Sequence, residues 1–111
     1  VIVLRNDLNM RKGKMVAQGA HASMKATLEN MKHPNVIQWL NGPFAKIAVK
    51  CDSEEQMLEL YQKALNAGLP CSLITDAGRT EFHGVPTKTA IAIGPGTNDQ
   101  INPITGELKL L

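Results

Sequence analysis

The stretch "VIVLRNDLNMRKGKMVAQGAHASM", residues 1–24, decides how this chain is to be read. Val1–Leu4 is a short apolar run that reads as a buried strand, and a polar loop follows from Arg5. A helix is expected from about Lys12 to Met31, and Arg11, Lys12 and Lys14 crowd its start. Cations are disfavoured there by a few tenths of a kcal/mol or more, because the N-terminal end of the helix macrodipole is positive. The free N–H groups at the same end attract anions. A lysine held against the dipole therefore points to a compensating role, such as meeting an anion.

Placed on a helical wheel, residues 14–31 divide into three stripes. Ala17, Ala20, Met24, Leu28 and Met31 form one apolar stripe, and Met15, Gly19, Ala22 and Ala26 form another. Between them run Lys14, Gln18, His21 and Lys25, on one helix face. If both apolar stripes pack, the polar stripe floors a cleft. Each polar residue also has a plainer reading: Lys25 solvated, His21 a hydrogen-bonded structural residue, Gln18 a tie to a loop.

Outward from this unit, strands are expected at Ala45–Lys50, "CSLIT" (71–75) and "TAIAI" (89–93), with a short helical turn at "NVIQWL" (35–40). A further helix is marked by Ser53 and Gln56 in a capping-box pattern, by Glu54 and Glu55 in the first turn, and by Gly68 and Pro70 beyond its end. After the last strand only a short terminal segment is expected. Strands separated by helices predict crossover connections and an α/β layered sheet. The 111 residues suit a single domain spanning 1–111, and 43% apolar content supports a core. No signal peptide is expected, and no apolar run approaches the ~20 residues of a membrane span.

The net charge of +2 hides a split. Residues 1–50 carry eight Lys/Arg against two Asp/Glu, a balance of +6; residues 51–111 carry four against eight, a balance of −4. One phosphate-attracting face is the functional reading and a solvated polar surface the plain one. Arg11, Lys12 and Lys32 are the candidate phosphate contacts. Cys51 and Cys71 match no zinc or Cys-x-x-Cys spacing and read as buried free thiols of a reducing compartment.

A second constellation follows the third strand: Asp76-Ala77-Gly78-Arg79-Thr80, opening a long connection, 76–88. A carboxylate followed by glycine is common turn chemistry, but α/β sheets also place their sites at the carboxyl ends of strands. If strands one and three are parallel and near each other, the two loops open on one edge and Lys14 can meet Asp76.

Taken together, "RNDLNMRKGKMVAQGAHA" (5–22), "DSEEQMLELYQKALNAGLP" (52–70), "DAGRTE" (76–81), "TAIAIGP" (89–95) and "TGELKLL" (105–111) resemble the type II peptidyl-tRNA hydrolases of archaea and eukaryotes over essentially the whole chain. The resemblance implies a cytoplasmic hydrolase that cuts the ester between a peptide and the 3′ ribose of tRNA. It implies a four-stranded mixed sheet flanked by helices, a homodimer, and no metal or other cofactor. It places family site residues at Lys14, Gln18, His21, Asp76 and Thr80, with Arg79 in the same loop. Asn6 and Arg11 stand where the family commonly has Thr and Gly, and "FHGVPTK" (82–88) replaces an often Pro-rich stretch.

Ester hydrolysis needs an activated water, oxyanion stabilisation and a proton path to the leaving oxygen. No Ser-His-Asp pattern or Gly-x-Ser-x-Gly elbow is present, so direct attack by water is the economical reading. Asp76 would position or deprotonate the water, Lys14 or N–H groups near Gly78 would face the oxyanion, and Thr80 would orient water or substrate. His21 is the alternative base, since imidazole titrates near neutrality, and the sequence leaves that choice open. Two other classes remain. A non-catalytic RNA-binding module would keep the basic half without needing Asp76, although one Trp, one Tyr and two Phe offer little base stacking. A nucleotide enzyme would lack its Walker or Gly-x-Gly-x-x-Gly loop.

Overall fold

A computed structural model of the chain describes residues 1–79 and 81–111. Its elements are β1 (Ile2–Arg5), α1 (Lys12–Leu28), α2 (Pro34–Leu40), β2 (Ala48–Cys51), α3 (Glu54–Asn66), β3 (Cys71–Asp76), β4 (Thr87–Ile93) and α4 (Asn98–Thr105). The four strands form one mixed sheet in the order β2-β1-β4-β3. β1 runs parallel to β2, with Val3 opposite Val49, and β4 runs antiparallel to both β1 and β3. β1, β2 and β3 therefore point the same way. The loops leaving β1 at Arg5 and β3 at Asp76 open on one edge, as the sequence predicts, with β4 lying between the two strands.

Alternation along the strands gives the sheet two covered faces. Val3, Val49, Cys51, Ile91 and Ile93 pack with Met57, Leu60 and Ala64 of α3 and Ile101 of α4. Leu4, Ala90 and Ala92 face the other way and pack with Ala22 and Ala26 of α1. Small residues let α1 sit close: a Cβ added at Gly19 would lie only 3.4 Å from Ile2 Cγ2. The buried Ser72 hydroxyl donates to the Ala22 carbonyl at 2.6 Å and fixes the helix against β3.

Only one of the two apolar stripes on α1 is used. The Met15, Gly19, Ala22, Ala26 stripe meets the sheet, whereas Met24, Leu28 and Met31 are 61%, 62% and 48% exposed and Ala17 and Ala20 are also exposed. A helix on the outer face of a sheet has one partner, so its second stripe stays open. The helix also stops at Leu28, short of Met31. Asn30 donates its side-chain amide to the Ala26 carbonyl, and its backbone N–H turns to Thr27 in a tighter, three-residue closure.

At the C-terminal side the sequence reading is corrected. The expected short segment contains α4, started by a capping box in which Thr97 Oγ1 accepts from Gln100 N–H and Gln100 Oε1 accepts from Thr97 N–H. Pro103 lies inside it. Beyond α4, Leu110 bridges Val49 in antiparallel fashion, with Lys50 N–H donating to Lys109 and Leu111 N–H to Ala48. That bridge covers the outer side of β2. Among the described residues no helix is long and apolar enough to cross a membrane.

Candidate active site

Asp76 is the last residue of β3, where the strand hands over to the loop. Its Oδ1 accepts from Lys14 Nζ at 2.9 Å and from Gln18 Nε2 at 3.3 Å, and its Oδ2 accepts from the Gly78 N–H at 2.8 Å. Lys14 and Gln18 lie one turn apart on α1, so the helix presents both to the same carboxylate. The Lys14 and Asp76 side chains are only 13% and 16% exposed. The Lys14 ammonium, with help from the Gly78 N–H and the Gln18 amide, holds the Asp76 carboxyl below the usual carboxylate value, although burial acts in the opposite direction. The carboxylate is thus ionised at neutral pH and is a correspondingly weak base.

The turn that presents Asp76 depends on glycine. Gly78 has φ +81°, in the left-handed region. A Cβ there would run into the backbone N and O of Val85. The loop folds back on itself at this point, with Gly84 N–H donating to Gly78 O at 2.8 Å and Val85 N–H to Phe82 O at 2.9 Å. The returning arm carries Phe82 and Glu81 towards α1. The Phe82 ring lies 5.6 Å from Lys14 Nζ, within cation–π reach, and packs on the cluster containing Leu4 and Met10. Glu81 approaches the start of α1, accepting from the Arg11 N–H at 3.4 Å with its other oxygen 3.9 Å from Arg11 Nε. Arg11 is the N-cap of α1 and makes no side-chain cap of its own. Glu81 therefore supplies from outside the helix the acceptor that the N3 Glu or Gln of a capping box gives to the N-cap N–H.

The loop after β1 is braced independently. Arg5 forks onto Asp7 at 3.1 and 2.6 Å and donates to the Lys88 carbonyl at 3.1 Å, tying the β1 exit to the start of β4. That contact holds the Asp7 carboxyl below its ordinary value. Arg5 and Asp7 are accounted for by this brace.

The structure brings Lys14 and Asp76 together, as the shared strand edge predicts, and adds Gln18 and Gly78 as further partners of the same carboxylate. The Gly78 N–H is already given to Asp76, so it serves to orient the carboxylate. His21 is exposed on α1, and Lys25, expected to be solvated, donates to the Leu73 carbonyl at 3.2 Å along the edge of β3. Arg11, Lys12, Lys32 and Arg79 are exposed. Thr80 lies outside the described residues. Three neighbours of the site were absent from the sequence reading: Glu81, Phe82 and Thr89. "TEF" (80–82) directly after "DAGR" was the available signal for the first two, and Thr89 carried none.

A separate cavity of 460 Å³ is lined by Trp39, Ile47, Ile101 and Leu108, among others, and includes none of the Asp76 cluster.

Comparison with known proteins gives a consistent picture. The model of the family described as peptidyl-tRNA hydrolase PTH2 matches residues 1–111. The chain is 50% identical over 113 residues to a peptidyl-tRNA hydrolase of Methanocaldococcus jannaschii, covering 100% of this chain and 97% of the relative. It is 46% identical to one from Methanococcus maripaludis (99% and 96% covered) and 43% identical to one from Metallosphaera sedula (100% and 97% covered).

Proposed function

Since the chain belongs to the PTH2 family of peptidyl-tRNA hydrolases, we propose that the Lys14–Asp76 pair is where its ester cleavage takes place. The enzyme hydrolyses peptidyl-tRNA to free tRNA and peptide. The observation that carries the site assignment is the 2.9 Å contact between Lys14 Nζ and Asp76 Oδ1 at the mouth of the sheet. It joins two motifs far apart in sequence in a position with little solvent.

In this reading Asp76 directs a water at the ester carbonyl. As the oxygen–carbon bond forms, the water's proton passes to Asp76 and negative charge collects on the carbonyl oxygen. Lys14 stabilises that oxyanion electrostatically. The tetrahedral centre then expels the 3′ ribose oxygen, which takes the proton back from Asp76, and the peptide acid gives its remaining proton to solvent and leaves as a carboxylate. Thr80 orients the water or the substrate, a role that rests on the family resemblance. Gln18 and Gly78 hold the Asp76 carboxylate in place. Arg11, Lys12, Lys32 and Arg79 contact tRNA phosphates.

Turnover of a labelled peptidyl-tRNA at rising salt tests the site and the basic face together. KM is expected to rise steeply, by a slope of roughly 0.7–0.9 log units per phosphate contact in log–log form, because bound counterions are released. A KM that stays flat while the protein remains folded would remove the phosphate contacts. Binding of tRNA without any turnover would favour a non-catalytic RNA-binding module.

The protein works in the cytoplasm, a reading supported by a substrate made there and by the free thiols of Cys51 and Cys71. It acts as a homodimer, and the exposed stripe of α1 supports that reading: Val16, Met24 and Leu28 are 73%, 61% and 62% exposed along one helix. Two copies would pair these helices about a two-fold axis. Leu28→Glu is expected to convert the dimer to a monomer in sedimentation equilibrium. A wild-type protein that sediments as a monomer at high concentration would refute the pairing.

A further inference from the structure

Behind the Lys14–Asp76 pair lies a second polar contact that neither motif announces. Thr89, in the middle of β4, is fully buried, and Gln18 is 3% exposed. Thr89 Oγ1 donates to Gln18 Oε1 at 2.5 Å, and Gln18 Nε2 donates onward to Asp76 Oδ1 at 3.3 Å. A carboxamide has a donor end and an acceptor end that are nearly equal in shape. Reversing it would aim its carbonyl oxygen at an ionised carboxylate. An ionised carboxylate only accepts, so the Gln18 atom facing it must be the amino group. The carbonyl end must then face Thr89, and only a hydroxyl acting as donor satisfies it. One arrangement of the three side chains leaves no polar atom wanting: Asp76 selects it, and the Thr89 hydroxyl, turned to donate, anchors the carbonyl end.

We infer that Thr89 is a positioning residue for ester hydrolysis, acting through Gln18 by anchoring the carbonyl end of its carboxamide so that the amino end stays on Asp76. The inference rests on the reading of Asp76 as the group that directs the water. Thr89 touches neither water nor substrate. Removing its hydroxyl leaves the buried Gln18 carbonyl without a donor. The carboxamide then loses its anchor, and Asp76 is held firmly by Lys14 and Gly78 alone.

The test compares Thr89→Val, Thr89→Ser, Gln18→Met and the Thr89→Val/Gln18→Met double variant in single-turnover and steady-state assays on folded protein. Thr89→Val is expected to lower kcat by roughly tenfold or more, the scale on which supporting hydrogen bonds act around a reactive centre, with KM nearly unchanged. Thr89→Ser, which keeps the hydroxyl, restores most of the rate. In the Gln18→Met background Thr89→Val costs nothing further, because the group it acts through is gone. A wild-type rate in Thr89→Val, an equal loss in both backgrounds, or a Ser variant as impaired as Val overturns the inference. Should Thr89→Val not fold, the wild-type protein still decides: the Gln18 side-chain NH₂ is expected to exchange slowly with solvent in nitrogen-resolved spectra, and fast exchange overturns the proposal. Asp76→Asn separates the two levels. If it is inactive while Thr89→Val is fully active, only the role of Thr89 fails; if it is active, the site reading itself fails.

Discussion

Asp76→Asn is expected to lower kcat by roughly 10²–10⁴-fold, the range for loss of a general base, with KM nearly unchanged. Asn keeps the shape and one acceptor, so Gly78 or Lys14 still finds a partner. It removes the charge that receives the water's proton. If Asp76 only capped the turn, the variant would melt earlier by about 1 kcal/mol of stability and keep its kcat in the folded fraction. His21→Ala supplies the contrast. A severe loss there, with Asp76→Asn almost fully active, would make His21 the base despite its exposed position on α1. Single-turnover rates on folded protein distinguish the outcomes, which differ by orders of magnitude.

Lys14→Met should cost roughly 10²–10³-fold in kcat, the scale on which removing one preorganised oxyanion donor acts. It should also change the pH profile. In the wild type the Asp76 carboxyl is held below its ordinary value of 3.8, chiefly by Lys14. The stability contributed by the pair is therefore fully present above about pH 3.8 and is lost as pH falls through the depressed value. Asp76 is ionised across the physiological range, and the wild-type rate should not bend near neutrality on its account. Without Lys14 the largest lowering cause is gone while burial still acts upward. Asp76 then titrates at higher pH, and the acid limb of kcat/KM moves up with it. An unshifted acid limb in Lys14→Met would mean that Asp76 does not govern that limb.

The strands and the meeting of Lys14 with Asp76 were legible because each rests on local pattern. Val1–Leu4 and "CSLIT" are apolar runs of strand length, and two such strands joined through helices must run in parallel. Their exits therefore share an edge. The fate of the two apolar stripes on α1 was not legible. Periodicity shows that a face is apolar, but how many layers cover the helix is decided by what packs on it, and within one protomer only the sheet does so. α4 was missed although Thr97 and Gln100 spell a capping box, because its body is short and interrupted by Pro103. Thr89 was missed for a deeper reason. In sequence it is one more β-branched residue in a strand, and its contact with Gln18 exists only once α1 has settled on β4 at a particular height. The Glu81 cap on α1 is similar, since it bridges residues 70 apart.

The bridge between Val49 and Leu110 bears on the order in which the molecule is made. β2 gains its inner neighbour, β1, from residues synthesised before it, but its outer neighbour comes from residues 109–111, which are made long after it. During synthesis, and on any copy that lacks those residues, the outer side of β2 shows unpaired N–H and C=O groups beside exposed Ile47. A bare strand of that kind templates association with other chains. Residues 109–111 thus act as a seal on nascent material.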